Sequence, residues 1–222
     1  TLVEGVHFRQ DLISWEDLGW KAVVVNLSDI AAMGGLPLYS LVTLGLKPET
    51  EVEEVKSLYK GMLSACHEYK CRIVGGDVVQ SPVTFITISM TGVAQEGLLS
   101  RKEAVPGDVI AVTGPLGCSS GGLQLLLNYT LTDVQEWVPT GVHLSKTHRR
   151  PIPRLTECQM LVQSGVRNAM DISDGLVDDL SKMCVSSGVG AIIHSYQVPV
   201  DSFLKTAFPK SYLEFALNGG ED

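Results

Sequence analysis

The chain has 222 residues, 45% of them hydrophobic and 19% charged, an ordinary globular composition with enough length to bury a core without disulfide or metal staples. A formal net charge of -8, with no basic run and no aromatic-and-basic strip, argues against a nucleic-acid partner, and the apolar run Ala22 to Val25 is far too short to span a membrane. If the substrates carry phosphate, an acidic protein of this kind must offset the repulsion locally, and divalent cations are the obvious means.

The five cysteines, Cys66, Cys71, Cys118, Cys158 and Cys184, are odd in number and contain no Cys-x-x-Cys pair. No segment resembles a signal peptide, so a reducing cytoplasm is the expected compartment. Cys66, His67 and Cys71 match no zinc-ligand spacing. The start at Thr1 and the end just after Gly219-Gly220 read as a fragment of a longer protein.

Ser14-Trp15-Glu16-Asp17 predicts a capping box at the start of a helix. Leu18, Ala22 and Val25 form an apolar stripe at helical spacing; the next position is Asp29, and Gly34-Gly35 with Pro37 end the element. An acid on the buried face of a helix is costly unless it is paired or binds a metal. Leu38 to Leu46 reads as a strand. Thr50-Glu51-Val52-Glu53 opens a second helix with Val55, Leu58, Tyr59, Met62, Leu63 and Cys66 inward. A short strand, Arg72 to Val74, runs into Gly75-Gly76-Asp77, and Val83 to Ala94 is a strand with one packed face.

Glu103 to Gly107 reads as a domain boundary, giving 1–103 and 104–222. Beyond it, a strand at Asp108 to Val112 leads into a Gly- and Ser-rich helix entry from Gly114 to Gly122, which resembles a phosphate cradle but is no Walker A motif. Pro139 to Pro153 reads as loops, Leu155 to Val162 as helix, Asn168 to Ile172 as strand, Leu176 to Ser186 as helix and Ala191 to His194 as strand. Strands and helices interleave in both halves, which predicts a two-domain α/β or α+β protein.

The recurring chemical feature is an aspartate beside small residues: Asp29, Asp77, Asp171 and Asp174. Carboxylates from separate elements, gathered in one place, suit magnesium, which takes one or two protein oxygens and completes its shell with phosphate and water. Each also has a plainer reading. Asp174 suits the cap of the following helix, Gly75-Gly76-Asp77 suits a turn, and the first helix could end before Asp29. Asp178 and Asp179 read as a solvated helix face. Arg101 is a surface charge or a partner for nucleotide phosphates, and His7 either packs between strands or hydrogen-bonds a phosphate.

Thr1-Leu2-Val3-Glu4-Gly5-Val6-His7-Phe8 resembles a segment of the thiamine-monophosphate kinases, within the aminoimidazole ribonucleotide synthetase-like superfamily. Gly19-Trp20-Lys21-Ala22, Val25 to Gly35, Gly75-Gly76-Asp77, Arg101, Pro106-Gly107-Asp108, Val112-Thr113-Gly114, Ala169 to Leu176 and Gly219 to Asp222 continue the resemblance in order along the whole chain. It implies an N-terminal sheet with helices that binds ATP and metal and forms a homodimer, followed by a C-terminal α/β domain. It implies Mg2+ on Asp29, Asp77, Asp171 and Asp174, and ATP against Gly76, Asp77, Arg101, Ser173 and Tyr59. The catalytic set is then Asp29, Asp77, Asp171 and Arg101, with thiamine monophosphate meeting His7 and Glu221. Three departures stand out. The family's first metal-binding aspartate falls just before Thr1, Val78-Val79 replaces the common threonines, and Lys102-Glu103 replaces small residues.

Overall fold

The computed structural model describes residues 1–94 and 97–220. Its N-terminal half is a four-stranded sheet of β1 (Leu2–Val3), β2 (Leu36–Leu46), β3 (Arg72–Gln80) and β4 (Phe85–Val93), in the spatial order β1-β4-β2-β3. β4 runs antiparallel to β1 and β2, while β2 and β3 are parallel. Parallel neighbours need a crossover, and α2 (Val52–Glu68) supplies it. Side chains alternate across the sheet. Val42, Leu44, Ile86 and Ile88 point into the core beneath α1 (Trp15–Ala32) and α2, meeting Leu18, Leu27, Leu58 and Met62. Leu41 and Tyr39 lie on the opposite, open face.

Both helix starts follow from the sequence, with one shift each. Ser14 caps α1 by accepting from the amide of Asp17, but the Asp17 carboxylate does not turn back to close the box. It is nearly sealed from water and accepts from both Arg149 and Arg150. The second box is centred on Glu51 and Glu54, one residue later than expected. In α2, Leu58, Met62 and Cys66 are buried as expected, whereas Leu63 is exposed.

Two glycines allow the helices to cross in contact. A Cβ on Gly19 would lie 1.9 Å from the Leu58 carbonyl oxygen, and one on Gly61 would lie 1.8 Å from that of Glu16. Backbone therefore packs directly on backbone at this crossing.

The C-terminal half contains α3 (Cys118–Asn128), α4 (Leu131–Glu136), α5 (Thr140–Arg149), α6 (Leu155–Gln163), α7 (Leu176–Ser187), α8 (Ser202–Ala207) and α9 (Tyr212–Asn218). The expected loop from Pro139 to Pro153 is mostly α5. Its prolines bracket the helix instead of interrupting it, and the cations Lys146 and Arg149 lie in its last turn, where they suit the helix dipole. The Gly114 to Gly122 segment is not an open cradle. A Cβ on Gly122 would lie 2.1 Å from the Leu144 carbonyl oxygen, and one on Gly121 would lie 2.4 Å from the Leu204 side chain, so these glycines seat α3 against α5 and α8.

The expected strands Asp108 to Val112, Asn168 to Ile172 and Ala191 to His194 join no ladder among the described residues; Asn168 makes only an isolated bridge to Ser100. All three segments border one cavity of about 740 Å³. They face that space, and their apolar residues line it where lateral pairing was expected. The overall class remains mixed α/β, with the sheet in the N-terminal half.

Gly61→Ala would force α1 and α2 apart and is expected to destabilise the chain by about 1–3 kcal/mol, the usual cost of overpacking. Asp17→Ala would leave two guanidinium groups without their buried carboxylate, at a cost of about 3–5 kcal/mol. Urea unfolding followed by circular dichroism measures both losses.

Candidate active site

α1 leaves the core as it ends. Beyond Val24 only Leu27 and Ala31 are buried, and Asp29 is two residues, about 200° of helical rotation, from each. Asp29 is therefore exposed on the outer side of the helix, not on the buried stripe that the spacing of Leu18, Ala22 and Val25 suggested. The exposure is only partial enclosure lost: desolvation still pushes its carboxyl above the ordinary aspartate range, Asp171 adds to the rise, and the Thr1 amino group opposes it.

Asp171 reaches this place from the other half of the chain. Ser28, the neighbour of Asp29, donates through Oγ to Asp171 Oδ2 at 3.4 Å. Burial pushes the Asp171 carboxyl upward, its own backbone hydrogen bond and Ser28 pull it down, and Asp179 and Asp174 push it up again. Two carboxyls held in partial seclusion, each favouring the proton, are a place where added positive charge relieves strain.

The strap from Leu99 to Ala104 joins the same neighbourhood. Leu99 donates to the Met33 carbonyl at the end of α1 at 3.0 Å. Ser100 donates to Arg167 at 2.8 Å and accepts from Ala169 at 3.1 Å, and Ser187 at the end of α7 donates to the Arg101 carbonyl at 3.0 Å. The exposed Arg101 is thus fixed by its backbone beside the segment that carries Asp171.

The Asp171-Ile172-Ser173-Asp174-Gly175 loop is organised by Asp179, which is buried and not on the solvated helix face expected for it. Asp174 does not cap α7; the N-cap is Gly175, which has no side chain to accept with. Asp179, 2% exposed, reaches back instead. Its Oδ2 accepts from the amides of Ser173 at 2.9 Å, Asp174 at 2.8 Å and Gly175 at 3.2 Å. Lys182 binds the other oxygen of Asp179 at 2.9 Å, Asp178 at 2.7 Å, and also Asp174. The signal was available: a helix entered through glycine needs an outside acceptor for its first amides, and an acid one turn in can supply it. Gly175 itself, at φ 122°, would place a Cβ 2.8 Å from the Asn218 backbone.

Asp77 stands apart. The Gly75-Gly76-Asp77 motif is no turn but the middle of β3, the exposed edge strand. Strand register aligns Asp77 with Thr43, Thr43 with Thr87, and Thr87 meets Thr1 at 3.0 Å. At about 4.8 Å per strand, that row separates Asp77 from Thr1 by roughly 14 Å. The Asp77 carboxylate accepts from the Val78 amide at 2.9 Å. Gly76 is required here, since a Cβ would lie 1.8 Å from the Val42 carbonyl oxygen. Within one chain the structure thus unites Asp29 with Asp171 and leaves Asp77 across the sheet. Tyr59 packs against the N-terminal core. His7 is exposed, accepts from the Val3 amide at 3.1 Å and borders a smaller cavity of about 200 Å³ with Lys21 and His148. Burial drives His148 down to about 3, so it is neutral beside Lys21. Ser173 and Asp174 are exposed at the loop, and Glu221 lies outside the described residues.

The donor set of the Asp29 and Asp171 carboxyls with the Ser28 hydroxyl is all oxygen, which fits a hard divalent cation. An oxygen-lined acidic site between a four-stranded sheet with two helices and a mainly helical half defines the class. A family model described as AIR synthase related protein, N-terminal domain, matches residues 1–94, and its C-terminal counterpart matches residues 105–220. The thiamine-monophosphate kinase of Aquifex aeolicus is 39% identical over 225 aligned residues, spanning all of this chain and 71% of the relative; that of Bacillus subtilis is 36% identical, spanning all of this chain and 68% of its own length. The solved AaThiL complexed with AMPPCP and TMP superimposes with a TM-score of 0.92 at 39% identity, covering all of this chain and 70% of that one. The chain belongs to the thiamine-monophosphate kinase family. The hydrogenase maturation protein HypE of E. coli, with a TM-score of 0.72 at 19% identity over 90% of this chain and 62% of that one, shares the fold.

The raised acids carry a pH signature. A carboxyl with a folded pKa above its unfolded value makes the folded state bind more protons, so stability falls as pH rises through that interval and the full penalty persists above it. Asp171→Asn is therefore expected to melt higher than the parent chain at pH 7, by about 2–4 °C for each kcal/mol relieved. The gap should close as pH falls towards the ordinary aspartate value of 3.8. Differential scanning calorimetry across pH 4–8 provides the check, and an unchanged or lower melting point at pH 7 would contradict the assigned strain.

Proposed function

We propose that this chain transfers the γ-phosphoryl group of ATP to the phosphate of thiamine monophosphate, forming thiamine diphosphate and ADP. The observation that carries the reading is the meeting of Asp29 with Asp171, from segments distant in the chain, in an acidic site whose carboxyls are pushed towards protonation. The family relatives named above support the substrates, AMPPCP being an ATP analogue and TMP standing for thiamine monophosphate.

A divalent magnesium ion held there would supply neutralisation of phosphate charge. Asp29 and Asp171 hold the cations, with Asp174 at the loop edge as a further ligand. Arg101 and Ser173 face the nucleotide phosphates, and Tyr59 contacts the nucleotide. His7 meets the acceptor phosphate and Glu221 the thiamine moiety. The acceptor is a phosphate oxygen already ionised at neutral pH, so no residue need remove a proton. The chain's contribution is positioning and charge placement for in-line attack.

Asp77 and Gly76 also belong to the nucleotide and metal site, and their place on β3 bears on assembly. The open face and edge of the sheet expose Tyr39, Leu41, Val74, Val78 and Val79, a patch suited to a second sheet. The functional unit is a homodimer joined through these sheets, with the N-terminal domain at 1–103 and the C-terminal domain at 104–222. The absence of disulfides among the described cysteines suits a cytoplasmic setting, and no helix of the described chain is long and apolar enough to cross a membrane.

The deciding experiment is a coupled ADP-release assay of the chain with ATP, Mg2+ and thiamine monophosphate. Turnover is expected with that acceptor. Asp171→Asn and Asp77→Asn should each lower kcat by at least about 100-fold while circular dichroism stays native. ATP consumption with an aminoimidazole precursor in place of thiamine monophosphate would move the chain to another superfamily activity; nucleotide binding without turnover would make it a binding protein. Leu41→Asp should convert the dimer to monomer in sedimentation velocity.

A further inference from the structure

We infer that Asp179 is the positioning residue of the nucleotide and metal loop, and that it works by filling the loop's amide nest from inside. Three consecutive amides, those of Ser173, Asp174 and Gly175, converge on the single oxygen Oδ2 of Asp179. Converging main-chain N–H groups at the start of a helix are the usual cradle for a phosphate oxygen. Here that cradle already holds an anion belonging to the chain. The loop therefore does not grip phosphate through its amides. Its backbone is locked by an internal carboxylate, and what it presents outward is the exposed side chains of Ser173 and Asp174, with Asp171 at its start.

The lock has a second half. Oδ1 of Asp179 accepts from Lys182 at 2.9 Å, and the same ammonium binds Asp174 and, at 2.7 Å, Asp178. Lys182 thereby compensates the buried charge and ties the Asp174 side chain to the helix that carries the lock. Asp179 also raises the Asp171 carboxyl electrostatically, so it touches the site through charge as well as through geometry. Its role is distinct from Asp171 and Asp174: it holds the ligand-bearing loop and contacts no substrate.

The inference rests on the kinase reading for its consequence in turnover, but its test can be read without turnover. Asp179→Asn is nearly isosteric. Its carbonyl oxygen can still accept from the three amides, but its NH2 group then faces the Lys182 ammonium, donor against donor. In the full chain, this variant should weaken binding of Mg·ADP by about tenfold or more in calorimetry performed well below its melting temperature. In the steady state the KM for ATP and the half-saturating Mg2+ concentration should rise by a similar factor, with the KM for thiamine monophosphate within about twofold of the parent. Lys182→Met, which keeps the amide lock but removes its counter-ion and the tie to Asp174, should produce a smaller shift in the same direction. Unchanged Mg·ADP affinity in a folded Asp179→Asn variant overturns the inference. Equal losses for nucleotide and acceptor overturn it too, because a purely structural role predicts that pattern. If Asp179→Asn fails to fold, Lys182→Met decides: parental Mg·ADP affinity in that variant counts against the lock. A parent chain that binds Mg·ADP yet shows no kinase turnover would retire the kinase reading while leaving this test intact.

Discussion

Asp17 lies in the first turn of α1, almost sealed from water, and accepts from two arginines at the end of α5. Few arrangements tolerate so little error, because a buried carboxylate that loses its partners costs several kcal/mol. Around it, Glu16 pairs with Arg150 at 3.1 Å and with Lys60 of α2 at 2.6 Å. The Trp20 indole donates to the Pro151 carbonyl at 3.2 Å, with the Arg150 guanidinium over its ring. The result is a polar clamp that seats the helical half of the chain on the start of α1. The sheet packs against the middle of the same helix, and its last turns carry Ser28 and Asp29 to Asp171. One helix thus sets the relation among the clamp, the core and the acidic site.

The acidic site works against local stability. Asp29 and Asp171 repel each other in a partly desolvated place, and among the described residues neither pairs with a cationic side chain to offset that cost. Asp174, Asp178 and Asp179, a few residues further on, share Lys182. The contrast separates two uses of the same residue type. One group of acids shares a single lysine, and Asp179 within it serves the backbone; the other pair is pushed up by burial and by neighbouring carboxylates. Functional sites are where such uncompensated pairs are expected.

Much of this was legible in the residues. Ser14 and the Thr50 to Glu53 segment mark helix starts because a side-chain acceptor must meet orphan amides, and Gly34 marks a stop because it takes a φ of 71°. Alternation along Val83 to Ala94 pointed to a strand with one packed face. What local pattern could not supply was partnership. Asp17 resembles half a capping box until Arg149 and Arg150, more than 130 positions away, are brought to it. Asp179 resembles surface until the glycine N-cap of α7 is seen to lack an acceptor. Asp29 fits the apolar stripe of α1 by spacing, but which side of the helix stays covered depends on where the sheet ends. The segments at 108–112 and 168–172 have strand composition, yet pairing is a property of neighbours, and a cavity lies between them.

The length of α1 between its two polar ends has a mechanical consequence. Asp17 and Asp29 are twelve residues apart on one unbroken helix, roughly 18 Å along the axis. Such a rod has no internal hinge, so rotation at one end is transmitted whole to the other. A tilt of about 5° at the arginine end displaces the far carboxylate by roughly 1.5 Å, more than the tolerance within which reacting groups must be held. The seat of α5 on α1 therefore acts as the fulcrum that fixes where the Asp29 carboxyl lies relative to Asp171.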